Sequence, residues 1–387
     1  MTRPAVAEQR TPQGRDVRTR FTRRGLARVS ELWPAAAAFV ASRVLVLLCL
    51  YVAPLLHPGY RRMGFFTDWD ATPYLSIAEH GYPPPYPPTG GFDAHIAFFP
   101  LLPGLIRALH LVGVGDRSAG ILVANAATLT ALCVLWILAR EVTSPSTASR
   151  TAVLLAFWPA SFVLSMIYSD SLLILFAAGC LLALIRQRWM TAGALGLLAS
   201  AARPNGLVLV LCCAWAAGNQ WRKRRALYPL VSVVLAPLGA AGYFAYLWDR
   251  FGSPTIWFTA EHRGWGQGFD FGRRWVSDIL VALQHPTGRV DLVASSVAGI
   301  IAIALVAWMI RERLPAVLTI YSAGIVVLAL GSGFGGSIPR FCLDAFPMFI
   351  APAIRLKGVA LQVVVGLSAA TFVLLFFVVE LTRTTVP

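Results

Sequence analysis

Apolar residues dominate this chain in long runs, broken by short polar stretches that are often rich in arginine. Runs of roughly 17–25 residues are long enough to cross the hydrocarbon core as helices, the only open-chain form that satisfies its own backbone in lipid. The first run predicts a helix over about 34–57, which leaves 58–98 on the opposite side of the membrane. The run at 96–113 carries Pro100, Pro103, Arg107 and His110. We read it as re-entrant or interfacial. Residues 119–138 span back, 151–168 go out and 171–185 return to Arg186 and Arg188.

Basic residues at 186–188 and 222–225 bracket a stretch long enough for two short helices meeting at Arg203–Pro204–Asn205–Gly206. Each arm, at 1.5 Å per residue, reaches only ~21 Å, less than the ~30 Å core. The tip is therefore expected to sit recessed in the membrane. Helices at about 227–248, 291–310 and 314–330 follow, with a second long loop at 249–290 rich in Trp, Arg and Gly. A loop at 331–340 and short spans from there to Leu381 complete the pattern. The whole reads as an all-α, polytopic transmembrane bundle of about eleven spans, with long outer loops at about 58–117 and 249–290. No internal repeat is visible, so an inverted-repeat transporter finds no support.

Composition agrees. Hydrophobic residues make up 57% of the 387 and charged residues 13%, about half the charged fraction of a soluble domain. The formal charge of +15 sits in clusters between apolar runs, which is the pattern of positive cytoplasmic loops and not of a nucleic-acid surface. Residues 1–28 hold eight arginines against Glu8 and Asp16. Residues 1–30 are thus expected to be a disordered cytoplasmic tail against anionic lipid, leaving 31–387 as the membrane domain. The six cysteines lie in or beside apolar runs without metal spacing and read as small hydrophobes.

Under this topology, polar clusters distant in sequence meet at the outer face. They are Asp68 and Asp70, then Tyr168–Ser169–Asp170, then Arg203 and Asn205, with Arg340, His262 and Arg263 placed to join them. In "FFTDWDATPYLSIAEHGY", Thr72 can cap a helix that starts at Pro73 and ends at Gly81. The two aspartates would then precede a helix N-terminus, whose dipole favours the ionised form. A carboxylate can deprotonate an acceptor hydroxyl, arginines can neutralise a departing phosphate, and aromatic loops can offer a platform to a sugar. Each cluster also has an ordinary reading: Asp70 as a cap, Ser169–Ser171 as a polar turn, Arg203 as a snorkelling side chain. Arg43, mid-span in the first helix, is expected to pair within the bundle. Asp93 and His95 could bind a divalent cation with Asp68 and Asp70, though their spacing is not diagnostic, so no metal ligand is assigned.

The ordered set "TDWDATPYLSIAEHGY", "AFFPLLPGLIRAL", "FWPASFVLSMIYSDSLLILF", "SAARPNGLVLVL" and "IPRFCLDAFPMFIAPA" resembles the PIG-V-like mannosyltransferases of the GT-C glycosyltransferase superfamily. Glu is common in that family where Asp170 stands, and Ser where Pro204 stands. The resemblance implies a membrane-embedded, inverting glycosyltransferase of GT-C type that takes a sugar, mannose foremost, from a polyprenyl-phosphate donor. The acceptor would be an extracytoplasmic lipid, glycan or protein. It places the essential acid on Asp70, with Asp68 second; the charge pattern is expected to put the protein in the plasma membrane with its N-terminus cytoplasmic. Two other readings compete: a flippase of lipid-linked saccharides, and a non-catalytic subunit of a glycan-assembly complex. The flippase would need polar residues through the membrane's depth, whereas these gather at one face.

Overall fold

The computed structural model describes residues 29–84, 94–285 and 287–382. The basic tail up to residue 28, and Asp93 with the proline-rich stretch before it, lie outside the described residues. Every regular element among the described residues is helical. Among the described residues, five helices are long and apolar enough to cross a membrane: Trp33–Leu56, Asp116–Val142, Leu230–Phe251, Val290–Arg311 and Gly358–Leu381. Shorter apolar helices lie at Asp170–Ile185, Trp189–Ala202, Ala316–Gly331 and Phe346–Arg355.

In chain order, α1 (Trp33–Leu56) leads to the short α2 (Gly64–Thr67) and α3 (Ala71–His80), then to α4 (Leu101–His110) and the long α5 (Asp116–Val142). The ten residues of α4 reach only about 15 Å, too short to span, as its prolines and charges suggest. Next, α6 (Pro145–Ala156) is capped by Ser144, whose hydroxyl accepts from the Thr147 amide. It stops well short of the span expected over 151–168.

The cause is Pro159, which supplies no amide hydrogen and halts the helical ladder. Residues 161–165 resume as a 3-10 turn. Carbonyls released at this break still need partners in an apolar interior. The Ser161 hydroxyl donates to Ala156 and Trp158 O at 2.7 and 2.8 Å, Thr128 donates to Leu164 O at 2.9 Å, and Arg43 Nη2 donates to Ser161 O at 3.3 Å. Arg43 thus pairs within the bundle as expected, with backbone as its partner. The indole of Trp158 donates to Pro339 O at 2.8 Å, tying the break to the C-terminal third of the chain.

The break leads into α7 (Asp170–Ile185), which packs between α5 and α8 (Trp189–Ala202). α8 and α9 (Val208–Arg224) form the expected pair of short arms, with Arg203–Gly206 between them. Gly206 lets this tip fold back on α8: a Cβ there would stand 2.5 Å from the Ala199 carbonyl and the Ser200 amide nitrogen. α10 (Leu230–Leu235) and α11 (Leu238–Phe251) continue the crossing, and the Ser200 hydroxyl clamps them to α8 by donating to Ala236 O at 2.8 Å.

The second long loop is not irregular. It holds α12 (Ile256–Trp265) and α13 (Arg273–Gln284). α14 (Val290–Arg311) and α15 (Ala316–Gly331) follow, then the short α16 (Ile338–Leu343) and α17 (Ile350–Arg355), and finally α18 (Gly358–Phe377). All six cysteines are free, and all but Cys133 are fully buried, as small hydrophobes would be.

Candidate active site

Four separate segments deliver charged side chains to one cleft, Asp70, Arg203, Glu261 and Arg340, and one more backs them with a buried carboxylate. It holds roughly 850 Å³ of empty space, part of it open to solvent.

The first segment is the turn before α3. That helix begins at Ala71, two residues earlier than Pro73, so Asp70 rather than Thr72 occupies the N-cap position, and Gly81 ends it as expected. Asp70 makes no side-chain capping bond. Its carboxylate is spent elsewhere: Arg340 Nη1 lies 2.7 Å from Asp70 Oδ2. Between the aspartates, Trp69 adopts φ 59°, a left-handed conformation uncommon for a bulky residue. The two carboxylates diverge there. Asp68 lines a different pocket, with Arg61 and Arg117, and its Oδ2 lies 3.8 Å from Arg61 Nη2. The structure therefore does not bring Asp68 to the Asp70 cleft.

The second segment opens α7. Asp170 is fully buried at the first residue of that helix, where the dipole favours a negative charge. It accepts two bonds from one guanidinium, from Arg340 Nε at 3.0 Å and Nη2 at 2.9 Å. Its Oδ1 also lies 2.5 Å from Arg203 Nη1. Paired, charge-assisted contacts of this kind are what allow a carboxylate to stay inside an apolar bundle. Ser169 shares a 2.7 Å hydrogen bond with the Tyr74 hydroxyl. Tyr168 lies under Arg340, its ring centroid 4.2 Å from the guanidinium carbon. Tyr168, Ser169 and Asp170 therefore form a buried floor that aims Arg340; of the three, none lines the cleft.

The third segment is the α8–α9 tip. Arg203 and Asn205 both line the cleft. Beyond Asp170, Arg203 lies 4.0 Å from the Asp344 carboxylate and, through its guanidinium carbon, 5.9 Å from the Phe341 ring centroid, and makes no directed hydrogen bond among the described residues. Its remaining N–H groups are available to an oxyanion in the cleft. The fourth segment, α16, carries Arg340 and is followed by Asp344. Asp344 is fully buried and was not singled out from the sequence.

The fifth segment, α12, also corrects the sequence reading. His262 and Arg263 are exposed and do not line the cleft. Their neighbour Glu261 does, with Trp257 and Trp265 on either side. The spacing of four residues puts all three on one helical face, with Phe98 and Phe99 opposite. The ring centroids of Phe98 and Trp265 are 5.6 Å apart. Burial pushes the Glu261 carboxyl up to about 7, with the Asp70 charge adding to the rise and Arg203 opposing it.

Among the described residues, no three His, Cys, Asp or Glu side chains cluster as a metal site. Asp93, the remaining candidate ligand, lies outside those residues.

No curated protein matches the chain in sequence. Among solved structures, it resembles ArnT from Cupriavidus metallidurans bound to undecaprenyl phosphate, with TM-score 0.51 and 17% identity over 82% of this chain and 60% of that one. The apo state of the same protein gives TM-score 0.50 and 17% identity over 84% and 60%. The oligosaccharyltransferase of Archaeoglobus fulgidus, tethered to an acceptor peptide, gives TM-score 0.44 and 13% identity over 86% and 54%. The chain thus spans about 60% of the length of ArnT. The ArnT likeness carries the fold alone, an all-α membrane fold of the GT-C type. A family model described as mannosyltransferase (PIG-V) matches residues 32–237, more than half of the chain, a range that includes Asp70, Asp170, Arg203 and Asn205. The protein is therefore a member of the mannosyltransferase (PIG-V) family.

Proposed function

We propose that this protein is an integral-membrane, inverting glycosyltransferase that moves a sugar, mannose foremost, from a polyprenyl-phosphate donor to an extracytoplasmic lipid, glycan or protein acceptor. The observation that carries this reading is the network Asp70–Arg340–Asp170–Arg203 at the wall of a cleft roofed by Trp257 and Trp265. Family membership, and a fold shared with ArnT bound to undecaprenyl phosphate, support the donor class.

In this reading residues 31–387 form one catalytic unit. The arginine-rich residues 1–30 stay on the cytoplasmic side of the plasma membrane, and the cleft opens outward. The indole rings take the sugar face. Asp70 accepts the hydrogen bond of the acceptor hydroxyl and takes its proton as the oxygen attacks the anomeric carbon. The bond from that carbon to the phosphate oxygen breaks and its electron pair stays on the phosphate. Arg203, oriented by Asp170, meets the charge that develops there, and Asn205 adds a polar contact beside it. Arg340 holds Asp70 and Asp170 in one frame, so that base and phosphate site keep a constant separation.

The test is transfer of labelled mannose from polyprenyl-phosphate mannose in membranes carrying the protein. Asp70→Asn is expected to lower the rate by about 10²–10⁴, the usual scale for losing a general base, while the protein still folds and inserts. Undiminished transfer by that variant would sink the assignment.

A further inference from the structure

Among the described residues, four carboxylic acids lie in or behind the cleft, and their surroundings differ. Asp70 is ion-paired to Arg340, and Asp170 is held by Arg340 and Arg203. Asp344 is fully buried beneath them. Glu261 is different: it lines the open cleft on α12, across from Asp70 and Arg203, and among the described residues its carboxyl makes no ion pair or hydrogen bond. A carboxyl beside apolar indoles and near another carboxylate, with no cation of its own, is one that holds its proton. Two acids with opposed surroundings in one site are the arrangement that divides acid from base duties.

From the transferase reading given above, on which this rests, the geometry points to Glu261 as the general acid of the reaction, the partner of Asp70 as base. As the acceptor oxygen bonds to the anomeric carbon, its proton passes to Asp70. The bond between that carbon and the phosphate oxygen breaks, with the pair remaining on the phosphate. The neutral Glu261 carboxyl gives its proton to a phosphate oxygen. Asp70 then returns its proton to water, and water reprotonates Glu261, so atoms and charge balance over a turnover. A phosphate seated at Arg203 lies toward the α12 face, where an ionised Glu261 would repel it. The neutral acid removes that repulsion and offers a donor in its place. The phosphate's own negative charge further favours the protonated form.

The group acts in a defined neighbourhood. Asp70 and Arg203 face it across the cleft. The elements packed on α12 contribute His95 from the turn at 94–97, and Tyr243, Tyr246, Asp249 and Arg250 from α11. The sign follows from the role. An acid must be protonated, so kcat/KM falls on the alkaline side, with a limb that starts near the free-enzyme value of about 7.

The experiment uses the full-length protein in lipid nanodiscs with undecaprenyl-phosphate mannose carrying labelled sugar, mixed with membranes that supply acceptor but lack the protein. kcat/KM is read from pH 5.5 to 9. Wild type is expected to lose rate about tenfold per unit above the limb, as loss of one essential proton requires. Glu261→Gln is expected to be slower by about 10²-fold or more and to lose the limb. Its amide still donates a hydrogen bond, so the donor KM is expected to hold. Glu261→Asp is expected to recover part of the rate together with the limb. A Glu261→Gln variant with wild-type rate and an unchanged limb overturns the assignment alone. A limb that survives in Glu261→Gln but disappears in His95→Gln assigns it to the histidine and overturns it likewise. Failure of wild type to transfer sugar at any pH overturns the transferase reading itself.

Discussion

Asp170→Asn is the sharpest probe of how the site is held together. Asn and Asp have nearly the same shape, so the change removes charge and one acceptor without opening a cavity. Asp170 is 0% exposed and receives Arg340 through two bonds of 3.0 and 2.9 Å, with Arg203 closing on its Oδ1. In the variant, the Asn amide turns a donor toward guanidinium donors, and two arginines inside the bundle lose their shared counter-charge. Removing one partner of a buried ion pair costs about 3–5 kcal/mol. Asp70→Asn provides the internal control. Asp70 side-chain exposure is 18%, and it holds Arg340 by one contact of 2.7 Å while Asp170 keeps the other edge. Loss of one hydrogen bond to a charged group costs about 1.5–3 kcal/mol, toward the low end where water can reach the gap.

The expected ranking in stability is therefore wild type, then Asp70→Asn, then Asp170→Asn. A gap of about 2 kcal/mol between the variants corresponds to roughly 30-fold in the folding equilibrium. Reversible unfolding in mixed detergent micelles, followed by tryptophan fluorescence, measures it. Both variants are expected to lose transfer, Asp70→Asn by loss of the base and Asp170→Asn because neither arginine is aimed. If Asp170→Asn is as stable as wild type, or less perturbed than Asp70→Asn, the view of Asp170 as the structural hub of the site is refuted.

Other outcomes follow from the same geometry. Asp68→Asn, His262→Ala and Arg263→Ala lie away from the cleft and are expected to keep sugar transfer within about twofold of wild type, as surface changes usually do; a loss comparable to that of Asp70→Asn in any one would return that residue to the site. Gly206→Ala forces a methyl against the α8 backbone at 2.5 Å. It is expected to cost about 1–3 kcal/mol by overpacking and to depress transfer further by moving Arg203, which paired unfolding and activity measurements on one preparation would reveal. Arg203→Lys keeps the charge but not the fork, and is expected to raise the donor KM, with saturation kinetics as the readout.

Much of the architecture was legible in the chain because a membrane imposes severe rules. Long apolar runs had to become helices, and the arms around Arg203–Gly206 were too short to cross before the chain turned. The break after Ala156 was visible as Pro159, yet it lay inside a strongly apolar run that promised a single span. The break's own Ser161, together with side chains contributed by α1 and α5, Arg43 and Thr128, makes the interrupted backbone tolerable there. Asp344 carried a signal that went unused, an acid among apolar neighbours four residues after Arg340. Glu261 was hidden for another reason. With 249–290 read as loop, nothing distinguished it from His262 and Arg263. As a helix, Trp257, Glu261 and Trp265 fall on one face, and the adjacent pair necessarily points elsewhere.

The chain by itself therefore determined an all-α membrane protein and its principal helices, because burial of backbone and charge in lipid admits few alternatives. Tertiary structure decided which of those groups meet. Asp70 and Asp68 stand two residues apart, and the left-handed turn at Trp69 sends one to Arg340 and the other to Arg61. Asp170 and Arg340, 170 residues apart, share two hydrogen bonds. Spacing along the chain carries no information about such pairings, since they depend on how distant helices pack.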